Sequence, residues 1–130
     1  MSHEDVGVAA EALVAAFARH DRVAYFESFA PSATFLFHNF ERVLTSRGEY
    51  EAVWRGWEDD GFRVLGCSST NGAVTMLRDD LAVFTHTVRT QLKDGDSSVT
   101  VGERETIIFQ LIDGRWLGVH EHLSPDPTVA

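Results

Sequence analysis

The feature that most narrows what this chain can fold into is the pair Asp113-Gly114. It stands between two runs that favour extended backbone, Glu105 to Ile112 and Trp116 to Leu123. A two-residue hairpin in a type I′ turn needs positive φ at both central residues, and Asp-Gly accepts that at little cost. The segment therefore forms an antiparallel hairpin, and the fold has to supply a sheet for it to join. The second run carries His120 and His122. Side chains alternate along a strand, so the two imidazoles emerge on one face, near Trp116, and mark a candidate site.

The rest of the chain is compatible with one domain over 1–130, long enough to bury a single core. Eleven basic residues against twenty acidic ones give a net charge of −9. That balance argues against nucleic acid and anionic membrane as partners, since both favour clustered Lys and Arg. The single cysteine, Cys67, has no partner for an internal disulfide and no metal motif around it, so it reads as a small half-buried strand residue. No apolar run approaches the roughly twenty residues of a membrane span. The N-terminal residues lack a signal pattern, and a cytoplasmic location is expected.

Helical periodicity fills the first half. Ser2 with Asp5 resembles a capping box, and Val6, Ala10, Leu13, Val14 and Phe17 then recur at helical spacing to about Arg19. Asp21 can cap a second short helix carrying Val23, Phe26 and Phe29, with Pro31 beyond its end. Thr34 to His38 reads as a short strand. Ser46-x-x-Glu49 is a full capping box and opens a helix with Tyr50, Val53, Trp54 and Trp57 on one stripe, stopped near Gly61. From Phe62 the pattern changes to strands. Phe62–Leu77 contains Gly66 and Asn71-Gly72, where a bend or bulge is expected. Arg78-Asp79-Asp80 reads as a turn, Leu81–Leu92 as a strand, Lys93 to Ser97 as a hairpin loop, and Val99–Ile112 and Arg115–Leu123 as the last two strands. Helices followed by a meander predict an α+β domain with the helices on one face of an antiparallel sheet, and no helix within 81–123.

This order of elements, with Asp113-Gly-Arg-Trp116, Val119-His-Glu-His-Leu-Ser124 and Arg104-Glu-Thr106, resembles the nuclear transport factor 2-like superfamily, the cystatin-like α+β cone. The resemblance covers essentially the whole chain and points to the SnoaL-like branch and to the association domain of calcium/calmodulin-dependent kinase. It implies three N-terminal helices packed on a curved sheet, with a cavity between them. It implies either a cofactor-free isomerase, dehydratase or cyclase, or a protein that only binds or assembles. Fold analogy does not choose between these. The association domain lines its cavity with arginines that hold a small carboxylate. Here the matching positions hold Val88, Ile107 and Leu123, so a more apolar cavity is expected.

Tyr50, Trp54 and Trp57 are the helical candidates for the cavity wall, though an aromatic stripe also serves as plain core. Alternation puts Phe84, His86 and Val88 on one strand face, Glu105, Ile107, Phe109 and Leu111 on another, and Leu117, Val119, Glu121 and Leu123 on a third. Hydrophobicity turns these sets toward the helices. His86 and Glu105 then face the cavity and His120 and His122 the outside, unless a bulge reverses part of a strand. His86 is a candidate acid or base because an imidazole titrates near neutrality. A histidine at such a position more often serves as a hydrogen-bonded buried residue. His120-x-His122 has ligand spacing, but no third ligand is fixed by a motif and no metal is assigned. Arg104 is a candidate for an anionic group, or a partner for Glu103, Glu105 or Glu121. There is no Gly-rich phosphate loop and no nucleophile motif.

The expected protein binds a mostly apolar small molecule, with at least one of His86, His120 and His122 at the polar end of its cavity. It dimerises through the outer sheet face, burying about 1,600 Å² in total. The alternative is a non-enzymatic assembly or ligand-sensing module, whose cavity Phe and Trp would fill.

Overall fold

A computed structural model of the protein describes residues 3–128. Its helices are α1 (His3–Ala18), α2 (Arg22–Glu27) and α3 (Arg47–Asp59), and its strands are β1 (Phe29–Phe37), β2 (Phe62–Arg78), β3 (Leu81–Asp94), β4 (Ser97–Ile112) and β5 (Arg115–Pro125). The helices cover one face of a single five-stranded sheet in the order β1-β5-β4-β3-β2. No described helix is long and apolar enough to cross a membrane. Ser2 and its half of the first capping box lie outside the described residues.

Local chemistry accounts for the element ends. The Asp21 carboxylate accepts from the Ala24 N–H at the start of α2, and Ser46 Oγ accepts from the Glu49 N–H at the start of α3. Glu49 returns the interaction by accepting from the Thr45 N–H, one residue before the cap. Asp113 and Gly114 have φ of 50° and 79°, the positive values that the β4–β5 turn requires. The β3–β4 turn is tighter than expected. The strands run on to Asp94 and start again at Ser97, leaving only Gly95 and Asp96 between them. Those residues are polar and exposed, so pairing of the two backbones, not burial, extends the strands.

β2 to β5 form the expected antiparallel meander. β1 departs from expectation in two ways. It begins at Phe29, which the periodicity assigned to α2, and it lies parallel to β5 at the sheet edge. Phe29 leaves the helix because its ring is wanted in the core, where it is completely buried. The Gly118 N–H donates to the Ser28 carbonyl, and any Cβ at Gly118 would come within 2.7 Å of the Phe29 ring. Pro31 falls in the irregular stretch between the paired residues Phe29 and Thr34 of this edge strand, where a missing N–H is tolerated.

Bulges on β2 and β5 set the faces. On β2 the register slips between Thr70 and Ala73, with Asn71 at φ 57°, so the expected bend is present. On β5 it slips at Val119, since Ile108 pairs with His120 but Phe109 with Gly118. The extra residue turns Trp116 and Gly118 to the helix side together with Glu121 and Leu123. His120 and His122 stay on the outer side.

Candidate functional site

The core under the helices is aromatic. Trp54, 1% exposed, sits at its centre, with ring centroids of Phe62 at 5.1 Å, Tyr25 at 5.3 Å, Phe26 at 5.6 Å and Phe17 at 5.8 Å. It is a core residue first and a cavity wall second. Beside it a cavity of about 90 Å³ opens between the helices and the inner face of the sheet. Trp57, Phe17, Phe62 and Leu92 wall its apolar side. Its polar side is made by Glu103, Glu105 and Glu121, with the hydroxyls of Tyr25 and Tyr50. Among the described residues, no Lys or Arg lines it. As expected, the lining is mostly apolar and lacks the arginines, and three carboxyls are gathered on its polar side.

Strand alternation puts the carboxyls there. Glu103 and Glu105 share the buried face of β4 with Ile107 and Phe109, and Glu121 lies opposite Ile107 in the β4–β5 register. Each is 8% exposed or less. Glu105 and Glu121 are hydrogen-bonded to each other. Burial, the charge of Glu105 and this shared bond push the Glu121 carboxyl well above the usual range. Burial also raises Glu105, while the hydrogen bond from Glu121 works the other way. One proton between two buried carboxyls, held on Glu121 and donated to Glu105, satisfies these directions. Tyr25 donates to Glu121 Oε1 at 3.4 Å, and its hydroxyl oxygen lies 3.0 Å from that of Tyr50. Burial and the neighbouring Glu121 raise both phenols, which stay protonated donors.

His86 stands behind this pair, not in the cavity. Its side chain is fully buried, with Nε2 2.5 Å from Glu105 Oε1 and Nδ1 2.6 Å from Ser69 Oγ. Burial lowers its pKa to about 4, so the ring is neutral at physiological pH. With Glu105 ionised, Nε2–H donates to Glu105 and Nδ1 accepts from Ser69. The expectation of a histidine at the cavity's polar end is overturned for all three candidates. His86 is screened from the space by Glu105. His120 and His122 emerge on the opposite side of the sheet, and His120 Nδ1 lies 2.8 Å from Thr34 Oγ1 on β1. Burial and the neighbouring His122 lower the pKa of His120. Arg104 is likewise outside, in a shallow depression with Thr85, Thr87, Thr106 and His122. Among the described residues, no group of three or more His, Cys, Asp or Glu side chains converges as metal ligands.

Tyr50, Trp54, Trp57 and Glu105 thus line the cavity, with His86 one contact removed and Arg104, His120 and His122 on the other face. Tyr25 and Glu103 are lining residues that the sequence reading did not place, and Glu121, in a strand set turned toward the helices, lines the cavity as well. The alternation Glu103-Glu105-Ile107-Phe109 is a signal for the first two glutamates. His38 adds a further contact, with Nε2 2.6 Å from Glu103 Oε2. Cys67 is half-buried at the cavity edge, its thiol pushed up by burial and 3.5 Å from Thr90 Oγ1.

Helices on a curved sheet around an inner cavity define the cystatin-like, NTF2-like class of α+β protein. Within it, the chain belongs to the SnoaL-like domain family, whose model matches residues 6–128. Solved structures agree on the fold. A Xanthomonas campestris protein named for the calcium/calmodulin-dependent protein kinase II association domain superimposes with a TM-score of 0.79 at 24% identity, over 95% of this chain and 87% of its own. A ketosteroid isomerase-like protein from Erwinia carotovora atroseptica gives 0.80 at 15% identity, over 95% of both chains. An NTF2-like protein of unknown function in nutrient uptake from Rhodospirillum rubrum gives 0.80 at 20%, over 94% of this chain and 98% of its own. No curated protein matches the sequence.

Proposed function

We propose that the cavity binds a compact, mostly apolar molecule bearing a carbonyl or hydroxyl group. The Glu105–Glu121 pair then moves a proton on it, in cofactor-free isomerase, dehydratase or cyclase chemistry. The observation that carries this is the pair of buried carboxyls, Glu105 and Glu121, at the polar side of an aromatic cavity, with the Tyr25 hydroxyl on Glu121. Titratable groups whose environments push their pKa values are candidates for acid and base roles. Glu105, ionised, is the proton acceptor; Glu121 and the Tyr25–Tyr50 hydroxyls are the donors for developing negative charge on oxygen. His86 acts through Glu105 and is a positioning residue. Three glutamates and no cation make the space unsuited to a carboxylate ligand, so neutral ketones and alcohols bind and hydroxy-acids do not. The structural likeness to a ketosteroid isomerase-like protein fits isomerase chemistry.

The test is titration of intrinsic tryptophan fluorescence with small cyclic ketones, alcohols and hydroxy-acids. Trp57→Ala removes apolar wall and weakens binding by about 25 cal/mol per Å² of lost contact. Glu105→Gln retains binding but slows hydrogen–deuterium exchange next to the ketone carbonyl by 10²–10⁴-fold, the usual span for general base catalysis. Binding that ignores Trp57→Ala, or exchange that ignores Glu105→Gln, defeats this reading.

We also infer a homodimer through the outer sheet face, where Thr85, Thr87, Ile108, Leu117 and His120 lie together. The likeness to a protein named for an association domain favours it. A monomer at micromolar concentration in sedimentation counts against it.

A further inference from the structure

Ser69 lies on β2 and lines an open groove between α1 and the sheet, separate from the polar side of the cavity. Its Oγ is 2.6 Å from His86 Nδ1, and the opposite nitrogen of that ring is 2.5 Å from Glu105. Nucleophile, base and orienting carboxylate are thus joined by two short hydrogen bonds, the relation that activates a serine hydroxyl. The chain departs from regular structure at this point. Thr70 pairs with Thr87 and Ala73 with Thr85, so Asn71 and Gly72 stand opposite His86 without register partners. Asn71 is held at φ 57°. Bulges of this kind re-aim side chains next to active sites. The groove offers Ala10, Val14 and Phe84 as an apolar bed, with Glu4 and Glu11 on its α1 side.

We propose that Ser69, His86 and Glu105 are a nucleophile, a base and its orienting carboxylate, and that they hydrolyse small neutral esters in the groove under α1. In the first half-reaction Ser69 Oγ bonds to the acyl carbon and its proton passes to His86 Nδ1. Nε2–H remains on the ring, hydrogen-bonded to the Glu105 carboxylate, which balances the imidazolium charge. The tetrahedral adduct collapses, the bond from carbon to the alcohol oxygen breaks, and the alcohol leaves with the proton from Nδ1. Water then attacks the acyl-serine by the same route, releases the carboxylic acid and restores Ser69. The neutral state of His86 is the state a base requires.

The experiment treats the whole protein with a fluorophosphonate probe and maps the adduct by mass spectrometry, alongside hydrolysis of 4-nitrophenyl acetate. The expected result is a single adduct on Ser69. Hydrolysis is expected to fall on the order of 10²-fold in Ser69→Ala and in His86→Gln. The acid limb of the wild-type pH profile should lie near pH 4, the value at which His86 takes its proton, and not near the ordinary histidine range. Absence of an adduct on Ser69, or hydrolysis unchanged in Ser69→Ala, overturns the proposal. The mapping is made on unmodified sequence, so it does not depend on either variant folding.

Discussion

Gly118→Ala probes the junction on which the sheet edge depends. A Cβ at this position lies 2.7 Å from Phe29 Cδ1, 2.9 Å from Cε1 and 3.4 Å from Ile107 Cγ2. Carbon atoms ordinarily keep about 3.5–4.0 Å. The Phe29 ring must therefore retreat by most of an ångström, and it has little room to do so. It is fully buried, with Phe35 at 5.1 Å and Tyr25 at 5.4 Å between ring centroids. Overpacking of a filled core costs about 1–3 kcal/mol. For a domain of this size that lowers Tm by roughly 4–12 °C, measured by calorimetry or far-ultraviolet circular dichroism. The double variant Phe29→Leu with Gly118→Ala isolates the contact. If the ring is what the methyl strikes, the double variant is more stable than the sum of the two single losses predicts. A Gly118→Ala protein that melts with the wild type refutes the packing of β1 on β5. Strict additivity in the double variant refutes the assignment to Phe29.

Two more tests follow from burial and charge. Trp54→Ala removes the centre of the aromatic cluster and should cost about 3–5 kcal/mol in denaturant unfolding, which makes it a stability variant and leaves Trp57→Ala as the probe of the cavity; a small loss would mean that Trp54 is not core. The pH dependence has two limbs of opposite sign. The folded pKa of His86, about 4, lies below its ordinary value of 6.5, so its contribution is complete above about pH 6.5 and is lost as pH falls toward 4. The full span is worth about 3 kcal/mol. Glu121 is raised, so its contribution is complete below the ordinary carboxyl range and is lost as pH rises through the folded value. The two oppose each other on the acid side, and melting curves of His86→Gln and Glu121→Gln against pH separate them. Wild-type slopes that survive both substitutions contradict these assignments.

Much of the fold was legible because its signals are local. The Asp113-Gly114 turn, the Ser46–Glu49 box and the Asn71-Gly72 bend each need only neighbouring residues to act. The parallel pairing of β1 with β5 joins residues about ninety apart, and no local pattern announces it. Phe29 was assigned to α2 because its spacing from Phe26 suits a helix, whereas tertiary burial beside Gly118 decides its state. The site was half legible. Alternation turns His86 and Glu105 toward the helices, yet it does not grade depth, and the seating of His86 against Glu105 is a contact between strands. The bulge at Val119 adds one residue without a compositional mark, and it brings Trp116 and Gly118 to the side where Glu121 already lay.

The central claim is that Glu105 and Glu121 share a proton beside the cavity. Carbon-13 NMR of protein labelled at the glutamate carboxyls tests it directly, with Glu105→Gln and Glu121→Gln assigning the two resonances. The account predicts that the Glu121 signal stays protonated well above the ordinary carboxyl range, and that Glu105→Gln lowers the Glu121 transition by removing the neighbouring charge. Glutamates that all titrate together in the ordinary range, with neither substitution moving the other signal, would contradict it.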